Sequence, residues 1–376
     1  MFHLKDYLKL PNGVSDVYLA LTLYGVGMSL IGIFVPIYLI ETGYSISMAL
    51  FYILISKLVF VLLTKTVVRL DNLFGLQGTS LIRLPFFIAS FVGLIFIESA
   101  SWIFYFSAIT AGVSLAFFWI PIQTFFLHNS HLKSEGKEVG KMLSIPTFFK
   151  ILSPAVGGYI SAIFGFNTLF VIGLLIVSLS TAPLFLTKTQ KTKYVNVTFK
   201  DIKKVLGFKM FFMTLADGFV YVSAGILFPL FIYLNLVSVE SVGLIMSLGS
   251  VFFAVASFVI GSKLKDSNIS RFYFFGAIVF ALTLFVRPFL SSFIEFAIII
   301  VFGALTAALY ESSYITSFYS SAKKNLDPDA FFIAREYMLN LSRSLLLILL
   351  LFVPFEWGFF IAAIFLVLAA FLIKKT

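Results

Sequence analysis

Six ionisable side chains stand among neighbours that are almost all apolar: Lys57, Lys150 and Arg343 are basic, and Asp217, Glu311 and Glu336 are acidic. A charge held deep in hydrocarbon costs at least roughly 2.5 to 3.5 kcal/mol, so each needs a partner, a water-filled cavity or a task. Three tasks suit these residue types. Lysine and arginine can clamp an anionic group, arginine by a planar fork and lysine as a point charge. Glu311, Asp217 or Glu336, enclosed in an occluded cavity, could carry a proton across a membrane. Alternatively, the charges simply neutralise one another across helices. Glu336, Asn340 and Arg343 are spaced i, i+4, i+7, so they share one helix face that should look inward.

The elements that must hold these groups read as membrane spans. The chain has 376 residues, 60% of them hydrophobic and 12% charged, well above the roughly 45 to 50% apolar content of a soluble domain. Cutting it where charges, Asn, Gly or Pro cluster leaves twelve runs, near 14–40, 47–68, 79–97, 101–127, 142–164, 167–187, 210–235, 240–262, 271–290, 293–320, 330–353 and 357–373. Each is about long enough to cross as a helix. The runs are continuous, unlike the short alternating segments of a membrane barrel. Lys5, Asp6 and Lys9 lead into a first run too long for a cleavable leader.

The chain carries 27 Lys and Arg against 17 Asp and Glu, a net charge of +10. Alternate connections, counting Lys65 at the end of the second run with the connection it adjoins, hold 21 of the 27 basic residues, while the others hold none and instead carry Glu41, Glu98, Glu240, Glu295 and Glu356. Basic residues are retained on the cytoplasmic side. Both termini are therefore expected in the cytoplasm and the chain in the cell membrane. The excess charge reports topology, and no nucleic-acid partner is expected. Arg83, Arg287 and Arg335 lie about one turn inside span ends and are expected to snorkel to the interface.

The longest connection, 188–209, divides the chain into an N-terminal half, 1–187, and a C-terminal half, 210–376. Within it Thr198 and Asp201 have capping-box spacing. Phe199, Ile202, Val205 and Leu206 lie opposite Lys200, Lys203 and Lys204, as in a short interfacial helix or a solvated basic linker. Features recur across the halves at one offset. Gly32 and Pro36 match Gly225 and Pro229, Gly165 matches Gly358, and Lys150 matches Arg343, each 193 residues apart. Gly112 and Gly303, and the loop residues Asp71 and Asp266, recur at nearly the same interval. Such internal symmetry is common in transporters.

Ser153-Pro154-Ala155-Val156-Gly157-Gly158 resembles the G-P-x-x-G-G element of the major facilitator superfamily of secondary transporters, with Ser at the first position. Phe164-Gly165-Phe166 and Phe170 follow, as in many members. Ser262, Leu264, Asp266 and Arg271 are similar to a degraded form of the family's G-x-L-x-D-R-x-G-R-R loop, and Asp71 with Gly75 keeps less of it. The resemblance covers nearly the whole chain and assigns no subfamily. It implies an all-α membrane protein of twelve transmembrane helices in two six-helix bundles. Spans 1, 4, 7 and 10 would line a central cavity, with spans 2, 5, 8 and 11 flanking it. Tyr24, Ser29, Trp119, Gln123, Tyr221, Tyr310 and Tyr314 would then be cavity-lining candidates, and every deep charge falls on a lining or flanking helix. Pro154, Gly157, Gly158 and Asp266 would serve gating, or the glycines plain helix packing.

No cysteine is present, and the histidines, His3, His128 and His131, make no metal-ligand pattern. P-loop, zinc-protease and serine-hydrolase motifs are also missing. The expectation is a membrane protein without enzymatic activity or cofactor: a secondary transporter, proton-coupled and working by alternating access as a monomer among lipids, on a small anionic or amphiphilic solute. Lys150 and Arg343 would clamp the substrate, with Lys57, Trp119, Gln123, Tyr310 and Tyr314 around it. A polyspecific antiporter exporting hydrophobic compounds is one alternative. A lipid-moving or non-transporting protein on the same fold is the other.

Overall fold

The computed structural model describes residues 14–129, 143–186, 191, 197–198, 200–265 and 267–374. Among them all regular structure is helical: α1 (Val14–Ile31), α2 (Val35–Glu41), α3 (Ile46–Ile95), α4 (Ser101–Asn129), α5 (Ser153–Leu179), α6 (Ile202–Val222), α7 (Phe228–Leu236), α8 (Val239–Lys263), α9 (Ile269–Val286), α10 (Phe293–Lys324), α11 (Pro328–Leu349) and α12 (Trp357–Lys374). Shorter helical pieces fill 143–149, Ala182–Leu186 and the joints within the first and seventh runs. Among the described residues, eight helical stretches are long and apolar enough to cross a membrane. Local signals set the starts. Ser45 and Ser238 accept the Met48 and Ser241 amides, Ser292 and Glu295 form a capping box, and Asp327 caps α11 ahead of Pro328.

Two of the longest helices are hairpins. Within α3, Gly75 has φ 78° and ψ 164°, a region almost confined to glycine. The Ser107 hydroxyl on α4 lies 2.8 Å from the Tyr52 hydroxyl and donates to the Ser90 carbonyl at 2.7 Å. In one straight helix Tyr52 and Ser90 would stand about 57 Å apart at 1.5 Å per residue. The chain therefore doubles back at Gly75. Gly165 does the same in α5, with φ 81°, since Gly157 packs on Leu30 and Phe34 while Gly173 packs on Ile31. The expected connection at 69–78 is thus a reversal at one residue. Asp71, expected in a loop, is inside α3 and buried at 2% exposure.

The first residues of α6, from Ile202 to the break at Gly207, are helical. Ile202 and Leu206 are buried, while Lys200, Lys203 and Lys204 are exposed. Thr198 donates its hydroxyl to Asp201 at 2.5 Å and its amide at 3.1 Å, which holds that carboxyl below its ordinary range. Phe199 and most of 188–196 fall outside the described residues. Further along the same run, Ser223–Leu227 is a π turn between α6 and α7, and the Ser223 hydroxyl donates to the Gly358 carbonyl.

Candidate functional site

A polar core forms where α6, α10 and α11 meet α3 and α4. On α6, Thr214, Asp217 and Tyr221 share a face by their three- and four-residue spacing. Tyr310 on α10 donates to Asp217 at 2.6 Å, and Tyr314, one turn on, donates to Thr214 at 3.2 Å. The rings of Tyr310 and Tyr314 run nearly parallel, 6.3 Å apart. Gly276 on α9 lets that helix pack against the Tyr310 backbone, where a Cβ would lie 2.7 Å from the amide nitrogen.

Arg335 ties this core to the other half of the chain. Its Nη1 donates to Gln123 on α4 at 3.2 Å and to Glu336 at 2.8 Å, and its Nε donates to Tyr314 at 3.2 Å. The guanidinium carbon also lies 4.5 Å from the Phe318 ring centre. The expectation of snorkelling is corrected for all three arginines: Arg335, Arg83 and Arg287 are 7%, 1% and 2% exposed. Arg83 donates Nη2 to the Val177 carbonyl and the Ser180 hydroxyl and sits 4.1 Å from the Phe118 ring centre. Arg287 sits 4.0 Å from that of Phe228. Aromatic faces, carbonyls and, for Arg335, the Glu336 carboxylate accommodate these charges, rather than the interface. Their aromatic setting was readable in the sequence, but not which rings would meet them.

Lys57 and Arg343 converge on one residue. The Arg343 guanidinium carbon is 3.9 Å from the Tyr221 ring centre and the Lys57 ammonium is 5.3 Å from it. Arg343 also donates to Asn340 at 3.2 Å. Lys57 is 5% exposed and Tyr221 43%, so the ring borders open space beside a buried ammonium. Among the described residues neither cation forms an ion pair. Two like charges from opposite halves thus meet on one ring, with Asp217 and Glu336 within electrostatic range of Arg343.

Lys150 is elsewhere, in the turn 150–152 between the 143–149 helix and α5. Pro154 has no amide hydrogen to give the Lys150 carbonyl, which accepts from Ser153 instead, at 3.0 Å. Its side chain crosses Gly25 on α1 and comes within electrostatic range of Glu311 on α10. The three acids differ: Asp217 is bonded to Tyr310 and Glu336 to Arg335, whereas Glu311 has no hydrogen bond among the described residues. Trp119 stands edge-on to Tyr24, centroids 5.5 Å apart, and the Arg83 guanidinium carbon lies 5.1 Å from the Tyr24 ring centre. The structure therefore sets Lys57, not Lys150, opposite Arg343 on Tyr221.

Contacts between the halves bracket this core. At the end bearing the glutamate turns, Tyr233 donates to Glu41. Beside it α5 and α8 touch backbone to backbone: a Cβ on Gly158 would lie 2.8 Å from the Val239 carbonyl, one on Gly243 would strike Pro154, and the Ala155 amide donates to Ser247 at 2.9 Å. At the lysine-rich end His128 and Asp329 meet at 2.6 Å. That bond to Asp329 holds the imidazole above its ordinary range. Asp266 lies outside the described residues.

No family model and no curated protein matches the sequence. Solved structures do. The human organic anion transporter MFSD10 (TETRAN) superposes with a TM-score of 0.72 at 12% identity, covering 96% of this chain and 100% of the other. A bacterial homologue of the iron transporter ferroportin, in an outward-facing state, superposes with a TM-score of 0.70 at 15% identity, covering 97% and 99%. The chain shares the fold of these two transporters. In that fold the Lys57, Tyr221 and Arg343 cluster belongs to the second, seventh and eleventh runs, and Lys150 with Glu311 to the fifth and tenth.

Proposed function

We propose that this chain is a secondary transporter that carries a small organic anion across a membrane by alternating access. In this reading the hairpins at Gly75 and Gly165 complete twelve spans in two six-helix bundles, with the lysine-rich end in the cytoplasm. The observation that carries it is the meeting of Lys57 and Arg343, one from each half, on the ring of Tyr221. An anion between them would relieve their repulsion and draw the halves together, which is the differential interaction that population shift requires. Among the described residues no three His, Cys, Asp or Glu converge as metal ligands, so the charge pattern favours an anion over a cation such as iron.

Glu311 is assigned the coupling role. Protonated, it would release Lys150 for the anion; deprotonated, it would hold Lys150 within electrostatic range. Reconstituted vesicles test both points. Uptake of an organic anion should respond to an imposed pH gradient, Lys57→Gln and Arg343→Gln should abolish uptake, and Glu311→Gln should leave exchange but remove the pH response. Undiminished uptake in both cation variants would sink the anion reading.

A further inference from the structure

The fifth and eighth runs touch tightly at one end and part at the other. Between the 143–149 helix and α8 lies a groove of about 300 Å³ lined by Ser144, Ile145, Phe148, Phe149, Ala254 and Phe258, with Val255 and Val259. That volume is at the small end of ligand pockets. Its outer walls are open to the surroundings: Phe148 is 66% exposed, Phe149 54% and Phe258 59%. No charged side chain lines it, so a hydrated anion has no reason to pass there. Yet the residue after Phe149 is Lys150, whose side chain passes over Gly25 toward Glu311.

We propose that this seam is a lateral portal for an amphipathic anion with a single hydrocarbon chain, the chain lying in the groove and the anionic headgroup reaching Lys150 from the bilayer. The proposal rests on the transport reading above and names the class of anion. Three observations favour this occupant. The groove is apolar and open to the outside of the helices, a cation without an ion pair among the described residues follows its lining residue Phe149, and the two elements that form it belong to opposite halves. A second furrow of similar size, lined by Phe293, Ile294, Ala297, Ile298, Val301 and Phe302 on α10 alone, has behind it at Gly303 only Arg287, which is 2% exposed and stacked on Phe228, whereas Lys150 is half-buried. It serves as the internal control.

The test uses the whole protein in phosphatidylcholine vesicles with two photoactivatable probes of equal chain, hexadecyl sulfonate and hexadecanol, and maps adducts by mass spectrometry. The sulfonate should exceed the alcohol severalfold at 144–149 and 254–259 and match it at 293–302. Lys150→Gln should equalise the two at the seam, Lys150→Arg should keep the preference, and Ala254→Trp should remove seam adducts. Equal labelling by both probes at the seam, or a preference unchanged in Lys150→Gln, would overturn the portal, showing bulk lipid contact only. Labelling needs no turnover, so failure of anion flux would count against the transport reading alone.

Discussion

Arg343 and Tyr221 form a cation–π pair with 3.9 Å between guanidinium carbon and ring centre. Such pairs contribute about 0.5 to 2 kcal/mol, and 1.4 kcal/mol is about tenfold in affinity. In substrate uptake assays Tyr221→Phe, which keeps the ring, should leave KM within about twofold, while Tyr221→Leu should raise it by up to about tenfold. Equal damage from both would assign the role to the hydroxyl instead.

The His128–Asp329 bond joins the halves at the lysine-rich end. Because Asp329 raises the imidazole's pKa from the ordinary 6.5, its contribution is complete below about pH 6.5 and is lost as pH rises through the raised value. Spin labels on introduced cysteines at the exposed Leu73 and Leu326 should report a longer distance at about pH 9 than at about pH 5.5. His128→Gln should show the long distance at both. The chain has no native cysteine to interfere.

Arg83 separates burial from snorkelling. A snorkelling arginine tolerates lysine, but at this site lysine would lose the planar stack on Phe118 while reaching for Val177 and Ser180. Hydrogen bonds to charged groups contribute about 1.5 to 3 kcal/mol, so Arg83→Lys should lower the thermal midpoint of purified protein clearly. An unchanged midpoint would return Arg83 to the interface.

Pro154→Ala restores an amide that can bond the Lys150 carbonyl and straighten the turn at 150–152. Stability should rise and uptake should slow as Lys150 swings away from Gly25. Faster uptake would mean that the turn hinders the transport cycle.

Apolar runs and the Ser153 to Gly158 element were legible because hydropathy and small-residue spacing are local properties of the chain. The breaks at 69–78 and between 164 and 167 were legible as well, but not that each is a reversal at a single glycine, Gly75 or Gly165, because a positive-φ conformation leaves no mark in composition. Depth along a span was a poor guide to Arg83, Arg287 and Arg335, because a ring such as Phe118 or Phe228 stabilises a guanidinium and is not distinguished in sequence from the other 48 phenylalanines of the 49. Lys150 and Arg343 were matched by their offset, yet Tyr221 chooses Lys57 as the second cation. Side-chain reach across helices, not repeat position, decides that.

The π turn at Ser223–Leu227 holds one residue more than an α turn. It therefore sets the angular phase between Tyr221, whose ring meets the two cations, and Tyr233, whose hydroxyl meets Glu41. Deleting a single residue there would produce a regular helix and rotate one tyrosine about 100° relative to the other. Cation cluster and end contact are thus clocked to each other by the winding of one helix.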